Sequence, residues 1–217
     1  ANAATAAGCG SVIVSFTDAD GDFLNYTVDV LSLTLETANG RVVETLPRET
    51  RINFTDYVDL TELVAVASVP PATYVAGTIR FDYTDAEVFV AAGDGSKEAV
   101  VTDQAGSPLA QAELRIRLSN RDQLTVRRGL QSLLQLDFDL AASHVVDIAP
   151  TPATAVAEPF IVAEVTLVDE KETRVRGPLV EVDEATGEYI VALRPFHHLH
   201  GDSGRMAVQT NQGTEFQ

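Results

Sequence analysis

Three aspartates stand at alternate positions in the segment Asp18-Ala19-Asp20-Gly21-Asp22. Several carboxylate oxygens supplied from one tight turn suit a hard cation such as Ca²⁺. The segment departs from an EF-hand, because its glycine falls at the fourth position and Asp29 stands at the twelfth, where that loop has Glu. Asp18, Asp20 and Asp22 therefore predict a Ca²⁺ site. The alternative is a solvated turn whose carboxylates bind local backbone amides.

Three of the four histidines fall within the six residues from His197 to Asp202. On a strand, His198 and His200 share one face and could hold one transition-metal ion, with Asp202 as a third ligand. The alternative is an exposed polar hairpin loop after Pro195. The cluster predicts either a metal site or a solvated loop.

The tetrapeptide Gly201-Asp202-Ser203-Gly204 matches the nucleophile region of chymotrypsin-like proteases. The remainder of the chain does not fit, because His144 as the base leaves only 58 intervening residues for the Asp and most of a second barrel. Arg205 also replaces the glycine that helps to shape the oxyanion hole. No phosphate-binding glycine loop or HExxH motif is present. The sequence thus predicts a protein that is not an enzyme.

The composition excludes several partners. The 217 residues carry 32 acidic and 15 basic side chains, for a formal charge of −17, and 45% of them are hydrophobic. Such a chain is too apolar for a disordered acidic tail and long enough to bury its own core. A surface this negative repels phosphate backbones, and no basic patch offsets it, so no nucleic-acid partner is expected.

The N-terminal region points to export. The segment Ala6-Ala7-Gly8-Cys9 resembles the site at which bacterial lipoproteins are cleaved and lipidated, although Ala stands where Leu is usual. Three interpretations remain open: a signal peptide removed before Ala1, a lipid anchor at Cys9, or a free buried thiol. No run approaches the roughly 18 apolar residues of a membrane-spanning helix. An extracellular or cell-surface location is expected.

Hydrophobic residues recur with a period of two almost throughout, which predicts strands with one exposed face. The clearest alternations are Val12 to Phe16, Leu114 to Leu118 and Leu134 to Leu140. In the segment from Tyr26 to Leu35 the apolar set slips between Val30 and Leu31, and a β-bulge there would return both halves to one face. A short helix is predicted over 59–65, with a strand as the alternative.

These patterns predict an all-β fold in two units. Residues 1–9 are an extended segment, and 10–150 are an antiparallel β-sandwich, immunoglobulin-like in general architecture. The proline-containing segment 151–159 is a linker or sheet-crossing loop. Residues 160–217 form a smaller, β-barrel-like unit that looks incomplete by itself.

Two motifs carry a resemblance to a known family. The segments Thr17-Asp18-Ala19-Asp20-Gly21-Asp22-Phe23 and Leu136-Asp137-Phe138-Asp139-Leu140 resemble the opening and closing strands of a bacterial surface domain family, domain of unknown function family 4382. The region 176–196 is similar to a second β domain, domain of unknown function family 5666. The resemblance implies a non-catalytic bacterial protein, exported to the cell surface and often lipidated.

Together these features predict a cell-surface β protein that acts by self-association. Domains with many open sheet edges join by strand addition, as in filaments and pili built by donor-strand complementation. The small, uncharged residues Ala3, Ala4, Ala6 and Ala7, with Cys9, are the predicted donor segment, and copies of the chain are the predicted partner. The alternative is a monomeric surface protein or lipoprotein that binds Ca²⁺ or a transition metal. The sequence establishes no cofactor, and Ca²⁺ is the first candidate.

Overall fold

We describe a computed structural model of the chain, which is built almost entirely of strands. The residues that it describes are 8–18, 22–57, 60–93, 95–118, 123–157, 163–165, 172–194, 203–211 and 213–214. Their strands form an all-β, sandwich-like fold, as the alternating sequence pattern predicts. None of the sheets in this part of the chain closes into a barrel.

Strand β1 (Gly10–Asp18) is the centre of a five-stranded sheet with the order β13-β10-β1-β5-β14. It pairs in parallel with β10 and antiparallel with β5. The sheet is therefore mixed, whereas the sequence predicted an antiparallel one. Its other strands are β10 (Gln131–Phe138), β5 (Leu60–Val69), β13 (Ala163–Val165) and β14 (Glu172–Arg174).

The second sheet has nine strands with the main order β11-β12-β7-β6-β2-β3, and β4, β8 and β9 pair beside this path. Its two longest strands, β2 and β6, pair along most of their length. The nine strands are β2 (Phe23–Thr37), β3 (Val42–Glu44), β4 (Thr50–Asn53), β6 (Ala72–Ala92), β7 (Gly95–Thr102), β8 (Gln111–Arg117), β9 (Leu124–Val126), β11 (His144–Asp147) and β12 (Ala153–Ala157).

The predicted β-bulge in β2 is confirmed. The pairing with β6 shifts register between Val30 and Ser32, which leaves Leu31 as the extra residue. Val30 on one side of the bulge and Leu33 on the other are both completely buried. One inserted residue thus keeps two out-of-phase apolar runs on the core face.

The main core fills the space between the two large sheets. It contains the inward residues Val12, Val14 and Phe16 of β1 together with those of β10, β2 and β6. A 3₁₀ turn (Phe54–Tyr57) places Phe54 among Phe16, Phe81 and Phe138. The rings of Phe54 and Phe138 are stacked with centroids 4.7 Å apart.

A third sheet lies outside the five-stranded one. It is an open antiparallel meander of β15 (Leu179–Asp183), β16 (Glu188–Ala192) and β17 (Arg205–Gln209). Leu193, which follows β16, and Met206 of β17 pack with Ile13 and Leu63 of the five-stranded sheet. The backbone N–H of Val66 also donates to the Ser203 carbonyl over 2.9 Å. A small apolar cluster and a backbone bond thus attach this sheet.

Several local predictions differ from the structure. The segment 60–69 is the strand β5 and not a helix, because its apolar residues pack on both faces against β1 and the two cores. β1 has no exposed face between Gly10 and Phe16, since the third sheet covers the side that carries Ile13. The strand from Leu134 ends at Phe138, and Leu140 begins the short helix α1 (Leu140–Ser143).

The segment predicted as a linker or sheet-crossing loop carries the strand β12. Its residues Ala153 and Ala155 are fully buried, and β12 pairs in parallel with β7. Alanine side chains are small enough to pack in the core without displacing its larger residues. They are weak indicators of a strand in the sequence, because alanine is depleted in strands. Strands β13 and β14, which lie beyond residue 160, pair within the five-stranded sheet.

Candidate functional site

An apolar groove lies on the third sheet beside β15, and we name it the β15 groove. Its volume is about 600 Å³. The residues that line it come from β15, β16, the turn between them and the flanking segments: Gly177, Leu179, Val182, Asp183, Glu184, Gly187, Glu188, Tyr189, Val191 and Thr210. Leu179 and Val182 are 58% and 53% exposed. Exposed apolar side chains that line one groove are typical of interaction surfaces.

The turn at one end of the groove is tied down by Asp183. Its carboxylate accepts hydrogen bonds from the backbone N–H groups of Ala185 and Thr186, and its carbonyl accepts from the N–H of Gly187. Gly187 adopts a φ of 70°, which glycine tolerates without strain. Hydrogen bonds from Thr186 and then Ala185 hold the pKa of Asp183 below its ordinary value.

The groove is therefore rimmed with negative charge. Asp183 stays ionised under ordinary conditions, and Glu184 and Glu188 line the same groove with exposed side chains. Among the described residues that line it, none is a lysine or arginine. An apolar floor with three carboxylates favours a ligand that brings both apolar and basic groups.

Strand β15 is also an open edge. It pairs only with β16 among the strands of the described ranges, and all five of its residues are exposed. The pairing contains a register shift between Leu179 and Glu181. An unpaired edge presents backbone donors and acceptors that a further strand can use.

Most of the sequence-predicted site residues fall outside the described residues, namely Ala3, Ala4, Ala6, Ala7, Asp20, His198, His200 and Asp202. Asp18 is the last residue of β1, and Asp22 is exposed immediately before β2. Cys9 is a half-buried free cysteine whose carbonyl accepts from the N–H of Gly129. Within the ranges given above, no three His, Cys, Asp or Glu residues are grouped so as to hold a metal ion.

The two residues considered for serine-protease chemistry have separate partners. Ser203 is buried, and its hydroxyl accepts a hydrogen bond from Arg48 over 3.1 Å. His144 is buried elsewhere, between the Tyr26 hydroxyl and the Leu140 carbonyl. The structure therefore does not join them into a nucleophile and base pair, which needs a direct hydrogen bond.

His144 is part of a buried polar chain that the sequence did not reveal. His144 directly follows helix α1. Its Nδ1 lies 3.0 Å from the Leu140 carbonyl oxygen, and its Nε2 lies 2.9 Å from the Tyr26 hydroxyl oxygen. Since a carbonyl only accepts, Nδ1 carries a proton and donates to the Leu140 carbonyl. The Tyr26 and Tyr83 hydroxyl oxygens are 3.1 Å apart. This hydrogen-bonded set of His144, Tyr26 and Tyr83 satisfies polar groups within the core and does not reach the β15 groove.

Acid is expected to destabilise the fold through His144. Burial lowers the pKa of His144 below its ordinary 6.5, outweighing the hydrogen bond to Leu140 that raises it. The unfolded chain therefore takes up a proton near pH 6.5 while the folded chain does not. The contribution of His144 to the free energy of unfolding is fully present above pH 6.5. It falls as the pH drops from 6.5 towards the pKa of His144 in the folded chain, by at most about 1.4 kcal/mol per pH unit.

Urea unfolding of the His144→Gln variant between pH 5 and 8 measures this contribution. The other histidines and the carboxylates are the same in both proteins, so the difference between the two pH profiles isolates His144. The wild type is expected to lose more stability than the variant below pH 6.5. Parallel profiles would show that His144 is not held neutral by burial.

A function for this chain has to be inferred from its fold and from the β15 groove. No family model, curated protein or solved structure matches the chain. The resemblance to two surface domain families accordingly stays a prediction. In the part of the chain that the structure describes, no helix has the length and apolar character needed to cross a membrane. The class that the structure defines is a β-sandwich-like protein with an open, apolar sheet edge.

The sequence did not predict the β15 groove. Leu179, Val180 and Val182 read as an ordinary strand with a buried face, yet all three are exposed. Two adjacent apolar residues at 179 and 180 followed by Glu181 were the available signal, because strict alternation is broken there. Only the position of β15 at the edge of the small third sheet exposes them.

Proposed function

We propose that this chain is a non-catalytic, exported surface protein that associates with copies of itself by adding a strand to the edge of β15. The open β15 edge beside an apolar groove is the observation that supports this proposal. A neighbouring segment would gain backbone hydrogen bonds from the β15 edge and lie beside Leu179 and Val182. Repetition of this contact builds a filament.

Charge disfavours an acidic donor segment at the β15 edge. A copy of the chain carries a net charge of −17, and the groove is itself acidic, so most of a second copy is repelled. The segment 1–8 has no charged residue, and the first charge in the sequence is Asp18. Ala3, Ala4, Ala6 and Ala7 are small enough to let a backbone approach β15 closely. We therefore assign the donor role to this segment.

Removal of apolar surface from the groove tests the proposal. In the variant Leu179→Ser with Val182→Ser, both altered side chains are exposed, so the fold should be retained while the docking surface is lost. Sedimentation velocity over a concentration series is expected to show association of the wild type and at least tenfold weaker association of the variant. Electron microscopy of the wild type at high concentration should show filaments.

Val42→Ser is the matched control, because Val42 is 56% exposed on β3, an edge strand of the nine-stranded sheet. It should associate like the wild type. Truncation of residues 1–8 should weaken association as much as the groove variant does. A wild type that stays a 23.2 kDa monomer at every concentration would overturn the proposal.

A further inference from the structure

We infer that the turn Arg127–Leu130 of one copy docks into the β15 groove of the next copy, with Leu130 on the apolar floor and the two arginines against the acidic rim. This inference rests on the proposed self-association and names the side chains that make it specific. The partner is a second copy of this chain. The contact joins two different surfaces of the molecule.

The turn displays an unusual combination of groups. It links β9 to β10, and Gly129 allows it to reverse with a φ of 71°, while the N–H of Leu130 donates to the Arg127 carbonyl over 3.2 Å. Arg127 and Arg128 are both exposed, and Leu130 is 55% exposed. They are the only adjacent basic residues in the sequence. The turn thus carries two positive charges next to one large apolar side chain.

The arginines of the turn are available for a partner. Within the described part of the chain, neither Arg127 nor Arg128 forms an ion pair, whereas Arg51, Arg80 and Arg115 each pair with a carboxylate of their own copy. The turn and the groove are also both exposed within one copy, so neither covers the other. Their free charges face solvent until a second copy arrives.

The groove offers the complementary pattern. Its apolar residues Leu179 and Val182 match Leu130, and Glu184 and Glu188 match the two guanidinium groups. Ion pairs that form around a desolvated apolar contact set the register of an interface more than its affinity. This pairing is what allows two copies of an acidic chain to approach, since the remaining surface is repulsive within a Debye length of about 8–10 Å.

The turn also contacts the residues that follow the proposed donor segment in the sequence. The N–H of Gly129 donates to the Cys9 carbonyl over 2.9 Å, and the N–H of Ser11 donates to the Leu130 carbonyl over 3.0 Å. The residues that follow the donor segment are therefore fixed to the turn. Because the turn and the groove are different surfaces, the contact is heterologous and can continue from copy to copy.

Paired charge reversal tests the inference. The turn variant, Arg127→Glu with Arg128→Glu, has an acidic turn and an acidic groove. The groove variant, Glu184→Arg with Glu188→Arg, has a basic groove and a basic turn. Asp183 is left intact because it holds the β15–β16 turn together. Each variant alone is expected to associate at least tenfold more weakly than the wild type by sedimentation velocity, because like charges oppose each other.

An equimolar mixture of the two variants should recover association. In the mixture, each acidic turn meets a basic groove and each basic turn meets an acidic groove, so an alternating assembly forms. The controls Arg41→Glu with Arg117→Glu, and Glu49→Arg with Glu98→Arg, have the same net charges as the two variants and change exposed residues elsewhere. They should associate like the wild type.

The outcomes separate this inference from the proposed function. If the wild type associates and both variants associate equally well, the turn is not the docking element, although self-association stands. If each variant is weakened but their mixture does not recover, the two surfaces do not meet directly and the inference fails. A wild type that is monomeric throughout overturns both.

Discussion

Phe54→Ala is expected to lower the free energy of unfolding by about 3–5 kcal/mol, as is usual when a buried phenylalanine is truncated. Phe54 is completely buried. Its ring lies between Phe138 at 4.7 Å, Phe16 at 5.6 Å and Phe81 at 6.1 Å, measured between centroids. These three residues belong to β10, β1 and β6, so one ring joins the two large sheets.

The cavity left by this substitution cannot close easily. Its walls are rings held on strands of two different sheets, and the 3₁₀ turn that carries Phe54 is short. The lost transfer free energy is therefore joined by the loss of edge and stacking contacts, each worth about 0.5–1.5 kcal/mol. Chemical denaturation monitored by circular dichroism gives the difference.

Phe89→Ala is the control, because Phe89 is 37% exposed and outside the core clusters. It should cost less than about half as much as Phe54→Ala, since a partly solvated ring leaves little cavity. Equal losses in the two variants would contradict the assignment of Phe54 as the centre of the core.

The second large effect is expected from Gly204→Ala, which should detach the third sheet from the sandwich. Gly204 has a φ of 107°, and a Cβ there would lie 2.7 Å from the Val66 carbonyl oxygen and 2.8 Å from the Val66 Cβ. Its carbonyl accepts from the N–H of Leu193, which is fully buried in the small apolar cluster. The substitution disturbs backbone and cluster together.

Backbone strain at such a φ costs about 1–3 kcal/mol, and overpacking costs about 1–3 kcal/mol more. Hydrogen exchange resolved by mass spectrometry should show faster exchange in β15, β16 and β17, while the two large sheets stay protected. Self-association should weaken as well, because the β15 groove loses its fixed position.

The Gly40→Ala variant isolates the cost of backbone strain from the cost of overpacking. Gly40 has a φ of 82°, and nothing lies within 4 Å of a Cβ added to it. It should be destabilised by strain alone and should leave exchange in the third sheet unchanged. If Gly204→Ala behaves like Gly40→Ala, the close contact with Val66 does not hold the third sheet in place.

Local sequence patterns predicted much of the strand content, and the reason is visible in particular residues. Leu114 and Ile116 are buried while Arg115 and Arg117 between and after them are exposed, as alternation requires. The bulge at Leu31 was predictable because a phase slip in an alternating run admits few structural solutions. These features depend on neighbours in the chain, which the sequence displays directly.

The candidate site was less accessible to sequence reasoning. Aspartates and histidines can be proposed as metal ligands from residue type alone, whereas no residue type identifies an apolar groove. Val182 has the same side chain as Val30, which is completely buried, and nothing in either residue separates an open edge from a core. The helix predicted over 59–65 is wrong for a related reason, since its apolar residues serve two cores rather than one helical face.

The sequence by itself determined the all-β class, the acidic character and the segment that is free of charge. Only the tertiary structure decided that β1 and β10, more than 100 residues apart in the chain, run side by side, and that β15 pairs with β16 alone among the described strands. Strand pairing depends on contacts between distant segments, whereas periodicity records only which face of each segment is apolar. The exposed β15 groove is therefore a property of the assembled sheets and not of the residues that line it.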